Sequence, residues 1–139
     1  MVMTAKDLVV KFLKENNIQS EKTEFGMRFF LEDWSFLLWE DPDDPAFFRL
    51  MLPGIFDVTD ENFAEAILCC NQINMDYKVV KALVYSFDAE KNGDEEMNVW
   101  ISFEQILDKT PEVGDLVPRA VNSMLNAAHD FVQKMTEED

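Results

Sequence analysis

Residues 88–99, DAEKNGDEEMNV, place an acid or amide at alternate positions with a glycine at the sixth, the opening pattern of a calcium loop. An EF-hand loop needs oxygen ligands at positions 1, 3, 5, 7, 9 and 12, the last a bidentate glutamate. Asp88, Glu90, Asn92, Gly93 and Asp94 fit the first seven positions, but Glu95 stands where an aliphatic residue belongs and Val99 where the glutamate belongs. Both flanks also read as strands, whereas the motif needs helices. The segment is therefore expected to be a hairpin connection, with Asn92-Gly93 supplying positive φ angles and the acids left in water. No metal or other cofactor is implied.

The remaining residues capable of chemistry are sparse. His129 is the one histidine, next to Asp130, and reads as a surface or rim residue of the last helix. Cys69 and Cys70 are adjacent. On a helix they point about 100° apart, so they read as buried or half-buried free thiols rather than a fold-stapling disulfide. No G-x-S-x-G, P-loop, G-x-G-x-x-G or H-E-x-x-H pattern occurs. The carboxylates crowd into turns and helix faces. The chain is read as non-enzymatic.

The elements that position these residues follow from periodicity. Thr4 is a candidate N-cap with Asp7 at the capping-box position, and Leu8, Val9, Phe12 and Leu13 form the apolar stripe of a first helix ending at Asn16 and Asn17. The period then changes to two. MRFFLE, WSFLLWE and AFFRLML predict strands near 26–32, 35–41 and 46–52, with turns at Glu32-Asp33-Trp34 and at DPDDP. A second helix is expected after a cap at Thr59 or Asp60, burying Phe63, Ala66, Ile67, Cys70 and Ile73. Strands over 79–87 and 97–103 follow. The long closing helix carries Leu116, Val117, Ala120, Val121, Met124, Leu125, Ala128, Phe131, Val132 and Met135, with Pro118 in its first turn. The expected fold class is α+β, an antiparallel five-stranded sheet with three helices in the order α-β-β-β-α-β-β-α, forming one domain over residues 1–139.

Charge sets limits on partners. There are 28 acids against 12 bases, a formal charge of −16, and the acids divide evenly between the two halves of the chain. That field repels phosphate backbones and anionic lipids, so no nucleic-acid or membrane partner is expected. No apolar run reaches the roughly 18 residues of a membrane span, and Lys6 and Asp7 interrupt any signal-peptide core. The free thiols and the missing leader suit a cytoplasmic setting.

The sheet carries more apolar surface than one buried face requires. Trp34, Phe36 and Leu38 alternate with Leu37 and Trp39; Phe48, Leu50 and Leu52 with Phe47 and Met51; Val99, Ile101 and Phe103 with Trp100. A sheet with one wet face should alternate apolar and polar cleanly. One resolution is that the three helices divide between the two faces. The other leaves part of one face to a protein partner or a second copy, with Trp39, Trp100, Phe47 and Met51 as partner-binding residues. A small-ligand sensor with a pocket between the last helix and the sheet is the alternative function.

The helix end Asn71-Gln72-Ile73-Asn74, running within a few residues into the strand VKALVYSF, resembles the corresponding passage of the YbjN-like family of small acidic bacterial proteins. The segment EDPDDPAFFRLMLP is similar to that family's second-to-third strand passage. The resemblance covers almost the whole chain and implies a type III secretion chaperone-like fold. It also implies a role in sensory transduction regulation or in chaperone-like binding of extended segments, with no catalytic residues. Asn71 and Asn74 read as C-terminal caps of their helix. The resulting expectation is a protein-binding module, chaperone-like or regulatory, and a candidate homodimer.

Overall fold

A computed structural model describes residues 4–89, 94–107 and 116–136. Helix α1 (Ala5–Glu15) opens on the expected capping box: Thr4 Oγ1 accepts the Asp7 N–H at 3.1 Å and Asp7 Oδ2 accepts the Thr4 N–H at 3.0 Å. It ends where expected. Asn16 returns its side-chain amide to the Phe12 carbonyl at 2.9 Å, and Asn17 takes a left-handed φ of 54°.

Among the described residues the sheet has six strands rather than five: β1 (Ser20–Lys22), β2 (Gly26–Leu31), β3 (Trp34–Trp39), β4 (Phe47–Val58), β5 (Val80–Ala89) and β6 (Asp94–Ile106). They lie in the order β1-β2-β3-β4-β6-β5, and every neighbouring pair is antiparallel. The extra strand, β1, is Ser-Glu-Lys and wholly exposed, so no apolar alternation announced it; it exists because β2 offers an open ladder.

Two boundaries moved for identifiable reasons. Glu32 and Asp33, with φ of 52° and 67°, form a two-residue turn by themselves, which frees Trp34 to pair with Leu31 inside β3. Strand β4 runs six residues past its expected end because it absorbs Pro53 and Gly54 in an irregularity. Its register with β6 shifts between Leu52 and Phe56, and Gly54 takes a φ of 63°. The Asn92-Gly93 connection lies outside the described residues. Its flanks are the paired ends of β5 and β6, Ala89 opposite Asp94, so the helix–loop–helix frame of an EF-hand does not exist here.

Helix α2 (Phe63–Asp76) starts later than expected. Its N-cap is Asn62, and Thr59 instead exchanges hydrogen bonds with Asn62 ahead of the helix. Its buried side is Ala66, Cys69, Cys70 and Ile73, while Phe63 and Ile67 are left exposed, correcting the expected face. Asn74 does not cap its own helix. Its side chain binds the backbone of Ala82 on the sheet-edge strand β5, and Tyr77 is the C-cap. Helix α3 (Leu116–Thr136) buries Leu116, Val117, Ala120, Val121, Met124, Leu125, Ala128 and Phe131 as its periodicity required.

All three helices pack into one hydrophobic cluster with a single face of the sheet. That face is the row set Phe29, Phe36, Leu38, Phe48, Leu50, Leu52, Val99 and Ile101, each fully buried. Phe12 of α1 meets Phe29 edge-on at 6.2 Å, and Phe131 of α3 meets Phe56 at 5.6 Å. The helices therefore do not divide between the two faces. Alternation told where each side chain points but left open a division of the helices between both sides, and one layer of helices proved sufficient.

Candidate functional site

The site is the face of the sheet that the helices leave bare. Strand pairing fixes its rows: Trp39 lies opposite Arg49 and Arg49 opposite Glu104; Leu37 opposite Met51 and Met51 opposite Ser102; Phe47 opposite Ile106; and Leu83 opposite Trp100. Since strand partners share a face, Trp39, Phe47, Met51 and Trp100, all singled out from the sequence, stand on one surface. Each is only partly buried. Ile106, at 74% exposure, extends the apolar area beyond Phe47.

The aromatic side chains are organised by polar neighbours. Trp39 meets Phe47 edge-on at 6.3 Å, and the Arg49 guanidinium lies over both rings, 4.8 Å from the first and 5.1 Å from the second. Arg49 Nε and Nη2 both donate to Glu104 Oε2, at 2.9 and 2.8 Å, while Lys81 Nζ reaches Glu104 Oε1 at 2.7 Å. Burial of Glu104 acts to raise its pKa. The hydrogen bonds and charges of Lys81 and Arg49 outweigh that and hold the carboxyl below its ordinary value. On the other side of Met51, Trp100 stacks on Tyr85 with centroids 4.7 Å apart, and its indole N–H donates to Asn98.

Sequence reasoning missed the polar half of this arrangement. Arg49, Lys81 and Glu104 come from three strands, and only their register across β4, β6 and β5 brings them together. Leu83 and Tyr85 could have been found, because they alternate with the buried Ala82 and half-buried Val84 along β5. A shallow depression of about 200 Å³ lies among these residues.

The chemical candidates fall where surface and core residues fall. His129 is exposed, 6.0 Å from the Trp34 ring. Both cysteines are buried free thiols. Burial, and then the neighbouring Cys69, pushes the Cys70 pKa up to about 11, so it is not a thiolate nucleophile at neutral pH. Among the described residues no group of His, Cys, Asp and Glu is arranged to hold a metal ion, and no helix is long and apolar enough to cross a membrane. A second apolar surface exists on the outer side of α2, where Leu68 and Met75 are 70% and 71% exposed. A cleft of about 450 Å³ lies between the start of α3 and the sheet, lined by Tyr77, Val79, Phe103, Gln105 and Arg119 among others.

Three helices on one face of a six-stranded antiparallel sheet, in this chain order, make an α+β protein of the YbjN-like fold. One solved structure with this fold is that of "YbjN, a putative transcription regulator from E. coli". It superposes with a TM-score of 0.63 over 91% of this chain and 88% of that one, at 11% sequence identity. At that identity the match establishes the fold, as the sequence resemblance led us to expect. No family model and no curated protein sequence matches the chain.

Proposed function

We propose that this chain is a non-enzymatic, cytoplasmic protein-binding module that buries part of a protein partner against the bare face of its sheet. The observation that carries the reading is the asymmetry of the sheet. Every helix among the described residues packs on one side, and the other presents Trp39, Phe47, Met51 and Trp100 together in partly exposed positions. Aromatic side chains and arginine are the residue types that dominate binding energy at interfaces. Here Arg49 is already held in place by two rings and a carboxylate, which lowers the ordering cost of burying it. The fold neighbour carries the description "a putative transcription regulator". With 28 acids against 12 bases, a regulatory role here would act through a protein rather than through direct contact with DNA.

The test is capture from the native cytoplasm with the wild type, with a Trp39→Ala/Trp100→Ala double variant and with Leu68→Glu on the opposite surface. A partner recovered by the wild type and by Leu68→Glu, but lost from a folded double variant, is the expected result. Recovery unchanged by the double variant overturns the reading. The cleft beside α3 supports a second reading, a small-ligand sensor, because Arg119, Lys78 and Gln105 give it polar groups against an apolar floor at Phe103 and Leu116. Ligand-induced stabilisation abolished by Arg119→Ala, with Trp39→Ala/Trp100→Ala silent, would favour it.

A further inference from the structure

We infer that the cleft between the start of α3 and the sheet binds a small organic anion, a carboxylate carried on an apolar body. The inference rests on the ligand reading of that cleft, not on the bare sheet face, and names the chemistry of the ligand. Charge singles the cleft out. In a chain with 28 acids against 12 bases, a cation without a carboxylate partner is the exception. Lys6, Lys11, Arg28, Arg49, Lys81 and Lys134 each pair with an acid. Among the described residues Lys14, Lys22, Lys78 and Arg119 pair with none. The first two stand apart on α1 and β1, whereas Lys78 and Arg119 line this one cleft. Asp76, the one acid among the described lining residues, is taken up elsewhere. Its two carboxylate oxygens each accept from Gln72 Nε2 at 3.0 Å, and Oδ2 lies 3.8 Å from Lys134 Nζ. Two uncompensated positive charges at one concave place attract an anion.

Shape and lining narrow the class. Phe103 and Leu116, both buried, give an apolar floor, and Tyr77 and Val79 stand beside it. The Tyr77 ring is tethered, because its hydroxyl donates to the Asn126 carbonyl at 3.2 Å. Gln105 and Ser123 add side-chain groups that can hydrogen-bond. At about 450 Å³ the cleft has the size of a small-molecule site. A guanidinium suits a carboxylate because its planar fork can donate two parallel bonds, and an ammonium beside it adds charge without fixing geometry. The backbone at the wall carries a further mark. Val79 takes a φ of 64°, a left-handed angle that a β-branched residue rarely adopts, and it is 55% exposed there. Asparagine or glycine would hold that angle with less strain, and strain of this kind collects at ligand clamps.

The experiment is isothermal titration calorimetry of the full chain with 1-naphthoate, octanoate and their neutral amides, 1-naphthamide and octanamide, at up to about 5 mM. Saturable binding of a carboxylate is expected, with its amide at least about tenfold weaker, since the amide lacks the charge that Arg119 and Lys78 meet. Tighter binding of 1-naphthoate marks an aromatic body, and tighter binding of octanoate an acyl chain. Arg119→Gln and Lys78→Gln, each confirmed folded by circular dichroism, are expected to weaken the carboxylate several-fold, and the double variant to bring it to the level of the amide. Lys14→Gln removes the same charge from α1 and should leave binding unchanged. Amides that bind as tightly as the carboxylates, or a loss in Lys14→Gln equal to that in Arg119→Gln, overturn the inference. If amide binding is then blocked by Ser123→Trp, which fills the cleft, the ligand reading stands without its anion. Absence of saturable binding by any of these compounds overturns both.

Discussion

Asn74 treats Ala82 as a neighbouring strand would: its Oδ1 accepts the Ala82 N–H at 2.6 Å and its Nδ2 donates to the Ala82 carbonyl at 3.1 Å. One amide side chain thus satisfies both backbone groups that an edge residue turns away from the sheet, and it fastens α2 to β5 in doing so. Replacing Asn74 with Ala leaves a partly buried donor and acceptor unpaired, which costs about 1–3 kcal/mol. Urea unfolding should register that loss, and the Ala82 amide should exchange faster than in the wild type. Asn74→Asp keeps the acceptor and loses the donor, so it should fall between the two. Wild-type stability in Asn74→Ala would mean the bond is incidental.

Gly26 admits no side chain. A Cβ there would stand 1.9 Å from the Leu38 carbonyl oxygen, a backbone atom that cannot swing away. Gly26→Ala must therefore push β2 from β3 at the pair Gly26–Trp39. Overpacking of this kind costs about 1–3 kcal/mol, and the thermal midpoint should drop accordingly. Trp39 fluorescence should shift with it, since the displaced pair includes that residue.

Glu104 links stability to pH. Its folded pKa lies below the ordinary 4.5, so the unfolded chain takes up the proton first. Its contribution is complete above 4.5 and is lost as pH falls through the lower folded value. Glu104→Gln should accordingly flatten the acid limb of a stability–pH curve and leave the slope above pH 6 unaltered. An identical acid limb in the two proteins would show that the Arg49 and Lys81 bonds do not favour the charged form.

Cys70 should be slow to react. Its pKa of about 11 leaves very little thiolate at pH 8, and burial restricts access. An alkylating reagent should modify the native protein orders of magnitude more slowly than the urea-unfolded chain. Rapid native modification, mapped to Cys70 by peptide mass, would contradict the packing of α2.

What could be read in the sequence was direction, and what could not was choice. Alternation in WSFLLWE and FFRLML placed Trp39, Phe47 and Met51 opposite Phe36, Leu38, Phe48 and Leu50, and that division holds. Within β3 and β4 the helix-side row is wholly apolar, while the other row and its strand partners include Arg28, Ser35, Arg49, Ser102 and Glu104, so the alternation favoured one side. The large apolar residues interspersed in that second row are what left open a division of the helices between both. In α2 the difficulty is similar. Phe63, Ile67, Leu68 and Met75 are as apolar as Ala66, Cys70 and Ile73, and only contact with α3 and β5 decides which are buried. Arg49, Lys81 and Glu104 are separated by tens of residues, and their meeting depends on a register that no single strand encodes.

The irregularity at Pro53 and Gly54 divides the β4–β6 ladder into two fastenings, Phe47–Leu52 and Phe56–Val58. The short one leans on Phe131, so it is tied to the fate of α3. The long one, between β3 and β6, carries Arg49 and Met51 and is stitched on both flanks. A chain beginning to loosen would thus unfasten from the Val58 end, and the aromatic surface would be among the last parts to lose its shape.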